Sequence, residues 1–281
     1  MVDLHTHSYY SDGTCAPAWL VQQARKLGLS AVALCDHNTV AGLPEFLEAG
    51  QQYAVQTVPG IEFSTQHRGV ELHVLALFVE PTHYASIDAL LEDFRRRKEQ
   101  NNVQLVKALG QAGIPIDYDK LRGQTQGYVN RAVIGGELTA MGYTASVQEA
   151  FRKYLTPEQG YYVPPERLDT LDTVGFIKSL GAVAVLAHPF VNLTARQLRS
   201  FLPEALKRGL DAMEIRYPEY DLRTTRLAGR IAGEFQLLPS GGSDFHGSNK
   251  PDIHLGMGRG TLQVPDAFLQ QLKARKDQGK L

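Results

Sequence analysis

Several features that mark whole classes of protein are scarce or missing in this 281-residue chain. Its two cysteines, Cys15 and Cys35, cannot build a disulfide framework, and their spacing matches neither a thiolate zinc site nor a redox pair. A reducing, cytoplasmic setting is the expectation. The longest apolar stretch, residues 182–187, falls far short of the roughly 18 residues a membrane span requires. The opening MVDLHTHSYY lacks a basic segment followed by an apolar run, so no signal peptide is read there. Positive charge is not in excess either, since 29 Lys and Arg face 30 Asp and Glu for a formal net charge of -1. That balance excludes a global basic field for long nucleic acid or an anionic membrane, so any phosphate-bearing ligand must be caught locally. There is no Walker A, H-E-x-x-H or G-x-S-x-G sequence. Gly256-x-Gly258-x-Gly260 leads into a strand-like Leu262-Gln263-Val264 rather than a helix, which does not fit a dinucleotide fold.

What is present is ordinary globular material, 43% hydrophobic and 21% charged, long enough for one large barrel or two average domains. Apolar periodicity predicts strands at 2–5, 31–34, 55–63 and 70–79, with helices at 17–27 and 43–53 between them. From 81 to 165 helical periodicity takes over, with a long helix at 87–113, Gly- and Tyr-rich connections, and a helix around 146–155. Alternation then resumes with helices at 169–180, 194–208 and 222–234 and strands at 182–187, 211–216 and 237–240. Repeated βα units predict a parallel sheet closed into a barrel, with chemistry at the carboxyl ends of its strands. The expected organisation is a barrel from residues 1–80 and 166–281 and an inserted helical subdomain at 81–165.

The histidines are unevenly placed. His5, His7, His37, His73, His188 and His246 each sit at or just beyond the end of a short apolar run. His5 and His7 are two apart at a strand exit and so share a face; Asp244 and His246 repeat that spacing. Asp12 follows in the next loop, Asp36 precedes His37, and Glu62 interrupts the apolar run Gly60-Ile61-Glu62-Phe63. Each has a bland reading alone: a turn, a helix cap, a salt bridge, a hydrogen-bonded core histidine. Six histidines and three acids, Asp12, Glu62 and Asp244, at the same ends of successive strands require one shared polar centre, and unpaired they would cost several kcal/mol each. Nine ligands exceed what one ion accepts, so two or three divalent ions with a bridging carboxylate are expected.

The combined motifs His5-Thr6-His7, Cys35-Asp36-His37-Asn38, Glu62, His73, Ala187-His188-Pro189 and Gly242-Ser243-Asp244-Phe245-His246 resemble the polymerase and histidinol phosphatase (PHP) family of metal-dependent phosphoesterases. The resemblance spans roughly residues 2–78 and 170–265. It implies a distorted (β/α)7 barrel with a trinuclear centre of manganese, iron, zinc or magnesium. One ion would take His5, His7, Glu62 and Asp244, a second Glu62, His73 and His188, and a third Asp12, His37 and His246. It also implies a helical insert covering the active site and a small phosphorylated substrate: a nucleoside bisphosphate, a nucleoside monophosphate or the 5′ end of a short RNA. The family's insert carries an Arg-Pro-His run, where this chain reads Asn130-Arg131-Ala132, keeping the arginine and losing the histidine. Arg131, in the connection Gly127-Tyr128-Val129-Asn130, and Arg216, at the end of strand 211–216, are the candidate substrate-binding residues.

The chemistry such a centre supplies is a water deprotonated near neutral pH for in-line attack on phosphorus. Protons should compete for the histidines near their unperturbed pKa of about 6.5. Amidohydrolase chemistry on a related barrel is the alternative enzyme, although it usually needs a bridging lysine where Glu62 stands. A non-catalytic metal or short-nucleic-acid module would rest on Arg95-Arg96-Arg97-Lys98, a run more simply read as a solvated helix face.

Overall fold

The computed structural model describes residues 1–125, 129–164 and 166–278, so Gly127 and Tyr128 lie outside the described residues. In chain order the main elements are β1 (Val2–Asp3), α1 (Pro17–Lys26), β2 (Ala31–Leu34), α2 (Leu43–Tyr53), β3 (Gln56–His67) and β4 (Val70–Leu77). Then come α3 (Tyr84–Gln111), α4 (Tyr118–Gln124), α5 (Arg131–Ala140) and α6 (Val147–Ala150), which runs into a π-helical turn, Phe151–Leu155. The chain continues as β5 (Leu168–Asp169), α7 (Thr170–Ser179), β6 (Val183–Ala187), α8 (Ala195–Arg208), β7 (Ala212–Arg216), α9 (Leu222–Glu234), β8 (Leu238–Gly241) and α10 (Asp266–Gln278).

Seven strands follow one another in the order β1-β2-β3-β4-β6-β7-β8, with the short β5 beside β3. The seam between β8 and β1 is drawn together by Leu4 N–H donating to Gly241 O (3.3 Å) and Asp244 N–H to His5 O (2.8 Å). A nearly closed seven-strand barrel results. Gly242 permits that closure, because a Cβ at this position would lie 2.4 Å from the His5 nitrogen.

The sheet is not wholly parallel as the sequence suggested. β4 runs antiparallel to both β3 and β6. The cause is the link between β3 and β4, which is only Arg68-Gly69, both at positive φ (49° and 79°), as a tight hairpin turn demands. Parallel neighbours need a crossover of a dozen or more residues, and none is available here. The reversal matters for the site: His73, in the first half of β4, pairs with Ser64 of β3 and Ala187 of β6. It thereby reaches the level of the other strands' carboxyl ends.

Inward-facing positions change character along the barrel axis. Val2, Ala33, Val58, Leu77, Val183, Val185 and Ala212 form a buried interior layer that the α10 residues Leu269 and Leu272 close from below. Two to four residues nearer the barrel mouth, the strands carry Glu62, His73, His188 and Glu214 instead. Outward positions such as Val32, Ile61, Phe63, Val74 and Leu186 pack against the surrounding helices. Burial below and outside the strands thus supplies the stabilisation that lets polar groups crowd the top.

The helical stretch has a core of its own, in which Leu105, Leu109, Ile134, Leu138, Ala150 and Leu155 are fully buried. Two helices, α4 and α5, lie where the sequence predicts Gly- and Tyr-rich connections. Gly135 misled that reading: it is helical, and its missing side chain leaves room for Val147, Ala150 and Leu155. No helix among the described residues is long and apolar enough to cross a membrane.

Candidate metal centre

Strand geometry delivers the expected residues to one place. Glu62, almost completely buried, touches five histidines with two oxygens. Its Oε2 lies 3.2 Å from His5 Nε2, 3.2 Å from His7 Nε2 and 3.1 Å from His37 Nδ1, and its Oε1 lies 2.9 Å from His73 Nδ1 and 3.0 Å from His188 Nε2. Asp244 Oδ1 approaches His7 Nε2 at 3.1 Å and His5 Nε2 at 3.6 Å. Asp12 reaches His246 Nε2 at 3.2 Å, and His7 Nδ1 and His37 Nε2 at 3.7 Å each.

Three groups have ligand atoms that all lie within 4.8 Å of one another: His5, His7, Glu62 and Asp244; His37, Glu62 and His73; and His7, Asp12, His37 and His246. All nine residues singled out in the sequence therefore meet. His37 is shared between two groups rather than belonging only with Asp12 and His246, and His188 joins through Glu62.

Whether these residues suit cations can be judged from what they lack. Nδ1 of His7, Nδ1 of His37 and Oε2 of Glu62 are buried with no hydrogen-bond partner. Orphaned buried donors and acceptors are costly, and a Lewis acid among them removes the cost. The Nε2 atoms of His5 and His7 also face each other at 3.0 Å, two ring nitrogens that need a proton or a cation between their lone pairs. The donor set is imidazole and carboxylate, which suits borderline divalent ions. Two of the residues hold left-handed backbone, His188 at φ 27° and Asp244 at φ 51°, the local strain expected where function fixes a side chain's aim.

Electrostatics follow from burial opposed by charge. Desolvation alone would lower the pKa of His5, yet Glu62, Glu214 and Asp244 outweigh it and raise it well above the ordinary value. The same contest, decided by the nearby carboxylates of Asp244 and Glu62, pushes His7 up to about 9; Glu62 and Glu71 likewise push His73 to about 9. For His37 burial wins, and its pKa falls to about 3. Burial would raise Glu62, but His37, His5 and His73 hold it well below the usual carboxylate range. Proton competition for His7 and His73 therefore sits near pH 9 rather than near 6.5, because carboxylates surround both rings.

Several supporting residues escaped the sequence reading. Glu214, fully buried in β7, lies 3.0 Å from His5 Nδ1 and accepts the His188 N–H at 2.8 Å. Its signal was present, a carboxylate inside Ala212-Met213-Glu214-Ile215, the same anomaly that drew attention to Glu62. Asp36 lies outside these three groups; it accepts from Ser8 N–H (2.7 Å), Ser8 Oγ (2.6 Å) and Ser11 Oγ (2.6 Å), holding the loop that carries Asp12. Tyr217 and Lys250 both donate to Asp244 Oδ2, at 2.9 and 2.6 Å, which leaves Oδ1 turned to the histidines. Glu71 pairs with His73 Nε2 at 3.0 Å and with Arg167 at 2.7 Å.

Beside the histidines opens a cavity lined by Asp12, His37 and His73 together with Arg95, Lys98, Arg131, Tyr162 and Arg167. Arg131 donates to Leu155 O (3.0 Å), and its guanidinium sits 4.4 Å from the Tyr162 ring centre and 5.3 Å from that of Phe151. The basic run on α3 is divided by helix geometry. Arg96 and Arg97 pair with Asp93 on the outer face, whereas Arg95 and Lys98, three residues apart, reach the cavity. Burial there lowers the Lys98 pKa to about 8. Arg216 is not brought to the centre. A bulge between Glu214 and Arg216 turns it aside into a separate cavity with Tyr217, Pro218 and Leu222.

Comparison with known proteins agrees with this geometry. The 5′-3′ exoribonuclease of Haemophilus influenzae is 33% identical over 245 residues, 87% of this chain and 89% of that one. The 3′,5′-nucleoside bisphosphate phosphatase of Chromobacterium violaceum is 26% identical over 277 residues, 98% and 97% of the two chains. A solved structure from Bifidobacterium adolescentis, described by prediction as a metal-dependent phosphoesterase, superposes with a TM-score of 0.88 at 30% identity, covering 98% of this chain and 96% of that one. The family model of the PHP domain matches residues 3–161, more than half of the sequence, and with these relatives it establishes that the chain belongs to the PHP family.

Proposed function

We propose that this protein is a metal-dependent phosphoesterase that hydrolyses phosphate esters of nucleotides, whether nucleoside 3′,5′-bisphosphates, nucleoside monophosphates or the 5′ ends of short oligoribonucleotides. The observation that carries the reading is Glu62, whose two oxygens meet five histidines while one of them, Oε2, has no hydrogen-bond donor. Two or three divalent ions, of manganese, iron, zinc or magnesium, would be held by His5, His7, Glu62 and Asp244, by Glu62, His73 and His188, and by Asp12, His37 and His246. When bound, they supply an activated water and neutralise phosphoryl charge.

The remaining work falls to the chain itself. Glu62 and Asp244 hold the histidines in register, and Asp36 fixes the loop bearing Asp12. Residues 81–165 act as the insert that covers the barrel mouth formed by 1–80 and 166–281, and they select the substrate. The adjoining cavity supports this, since Lys98 and Arg131 line it together with Asp12 and His73, available to take an anionic group while the scissile phosphate lies at the histidines. A cytoplasmic setting fits the two unpaired cysteines. Phosphate release from a panel of nucleotides and short RNAs with added manganese tests the reading. Turnover that vanishes with chelator is expected; binding without any release would contradict it.

A further inference from the structure

Glu214 occupies an unusual position among the buried acids. It has no solvent exposure, and among the described residues no lysine or arginine pairs with it. Both of its oxygens are committed as acceptors. Oε1 faces His5 Nδ1 at 3.0 Å, and Oε2 takes the His188 backbone N–H at 2.8 Å. His5 thereby presents Nε2 to Glu62 and His7. His188 is held at φ 27° immediately before Pro189, where the chain is normally steered to extended backbone. A left-handed, non-glycine residue before proline persists only when its surroundings hold it, and the Glu214 carboxylate grips the amide of that residue.

We propose that Glu214 is a positioning residue that ties two of the metal positions together from outside the centre. It keeps the His5 proton on Nδ1, so that the Nε2 lone pair faces one ion, and it fixes the strained turn that aims His188 at the next. Glu62 joins the same positions from within. The inference rests on the metal-centre reading above, and it assigns Glu214 a role in orientation without contact to ion or substrate.

Glu214→Gln is the direct test, because a glutamine of the same size has one acceptor oxygen and one donor nitrogen and cannot satisfy both N–H groups. Zinc titration of the purified full-length variant should show affinity weakened by about 10- to 100-fold, the usual effect of losing such a partner. Thermal unfolding should show a smaller loss of stability in the metal-free variant than in the zinc-loaded one, each compared with wild type in the same state. Unchanged zinc affinity overturns the proposal, and so does a metal-free variant that loses as much stability as the loaded one, since that marks a purely structural role. Nitrogen-15 NMR of zinc-loaded wild type tests it without any substitution: the His5 proton should reside on Nδ1, and a proton on Nε2 overturns it. A wild-type protein that takes up no zinc or manganese overturns the metal-centre reading itself, an outcome distinct from these.

Discussion

Asn130 donates its side-chain amide to the carbonyl of Ser11, the residue before Asp12, while its Oδ1 accepts the N–H groups of Ala132 and Val133 at the start of α5. One side chain therefore caps the helix that begins with Arg131 and fastens that helix to the loop carrying a candidate ligand. Asn130→Ala should cost about 1 kcal/mol of stability through the lost cap. It should also raise KM for a nucleotide substrate, because Arg131 and Asp12 lose their common anchor. Denaturant unfolding and steady-state kinetics measure the two effects. A stability loss with unchanged KM would make Asn130 a cap and nothing more.

Arg131 is braced by Leu155 O and by the Tyr162 ring, so its fork enters the cavity in a fixed orientation. Lysine cannot reproduce a two-pronged grip on phosphate. Arg131→Lys should raise KM for nucleotides by a loss of about 1 to 3 kcal/mol, as for a charge-assisted contact. A small generic phosphate ester, too short to reach from the histidines to Arg131, should be hydrolysed almost as before. Equal losses on both substrates would place Arg131 at the reacting phosphate.

The pH dependence follows from the raised histidines. His7 and His73, with pKa values pushed to about 9, carry protons at pH 7 in the metal-free protein and must release them when ions bind. Metal affinity should therefore climb as pH rises toward 9. Stability of the metal-free protein runs the opposite way. A folded pKa above the unfolded value of about 6.5 stabilises fully below that value, and the benefit is lost as pH passes 9. Calorimetry of zinc binding at pH 7 in buffers of different ionisation enthalpy counts the protons; an absence of release contradicts the assignment.

Gly242 is the contact point between β8 and the first ligand strand. A methyl group there would meet both the nitrogen and the Cβ of His5, at 2.4 and 2.5 Å. Gly242→Ala should cost about 1–3 kcal/mol as an overpacked site and weaken metal binding by displacing His5. A variant of wild-type stability and metal affinity would mean that the barrel seam yields more easily than its geometry implies.

Much of this was legible from residue pattern. Strands at 31–34 and helices at 43–53 and 222–234 coincide with β2, α2 and α9, because apolar periodicity and their flanking turn residues agree. Eight of the nine candidate ligands converge because they lie within a buried strand or just beyond its end, and Asp12 is brought in by the loop that Asp36 holds. The direction of β4 was missed, although the two-residue spacing of Arg68-Gly69 carries the information: so short a link forces a hairpin. α5 was hidden by Gly135-Gly136, whose low helix propensity is overridden by packing against α6. Glu214 and Asp36 show their roles only in three dimensions, since their partners lie 25 or more residues away. The placement of Arg216 in a separate cavity follows from a local bulge that no periodicity announces.

Glu62 is expected to bridge the ions, and phosphate ester hydrolysis to depend on it. Metal content and turnover of Glu62→Gln, measured on the same folded sample, test this most directly. The expected result is a soluble protein with reduced metal stoichiometry and no detectable phosphate release, because the amide cannot supply the charge that keeps the ions close. Full metal occupancy with wild-type turnover would contradict a bridging role for Glu62.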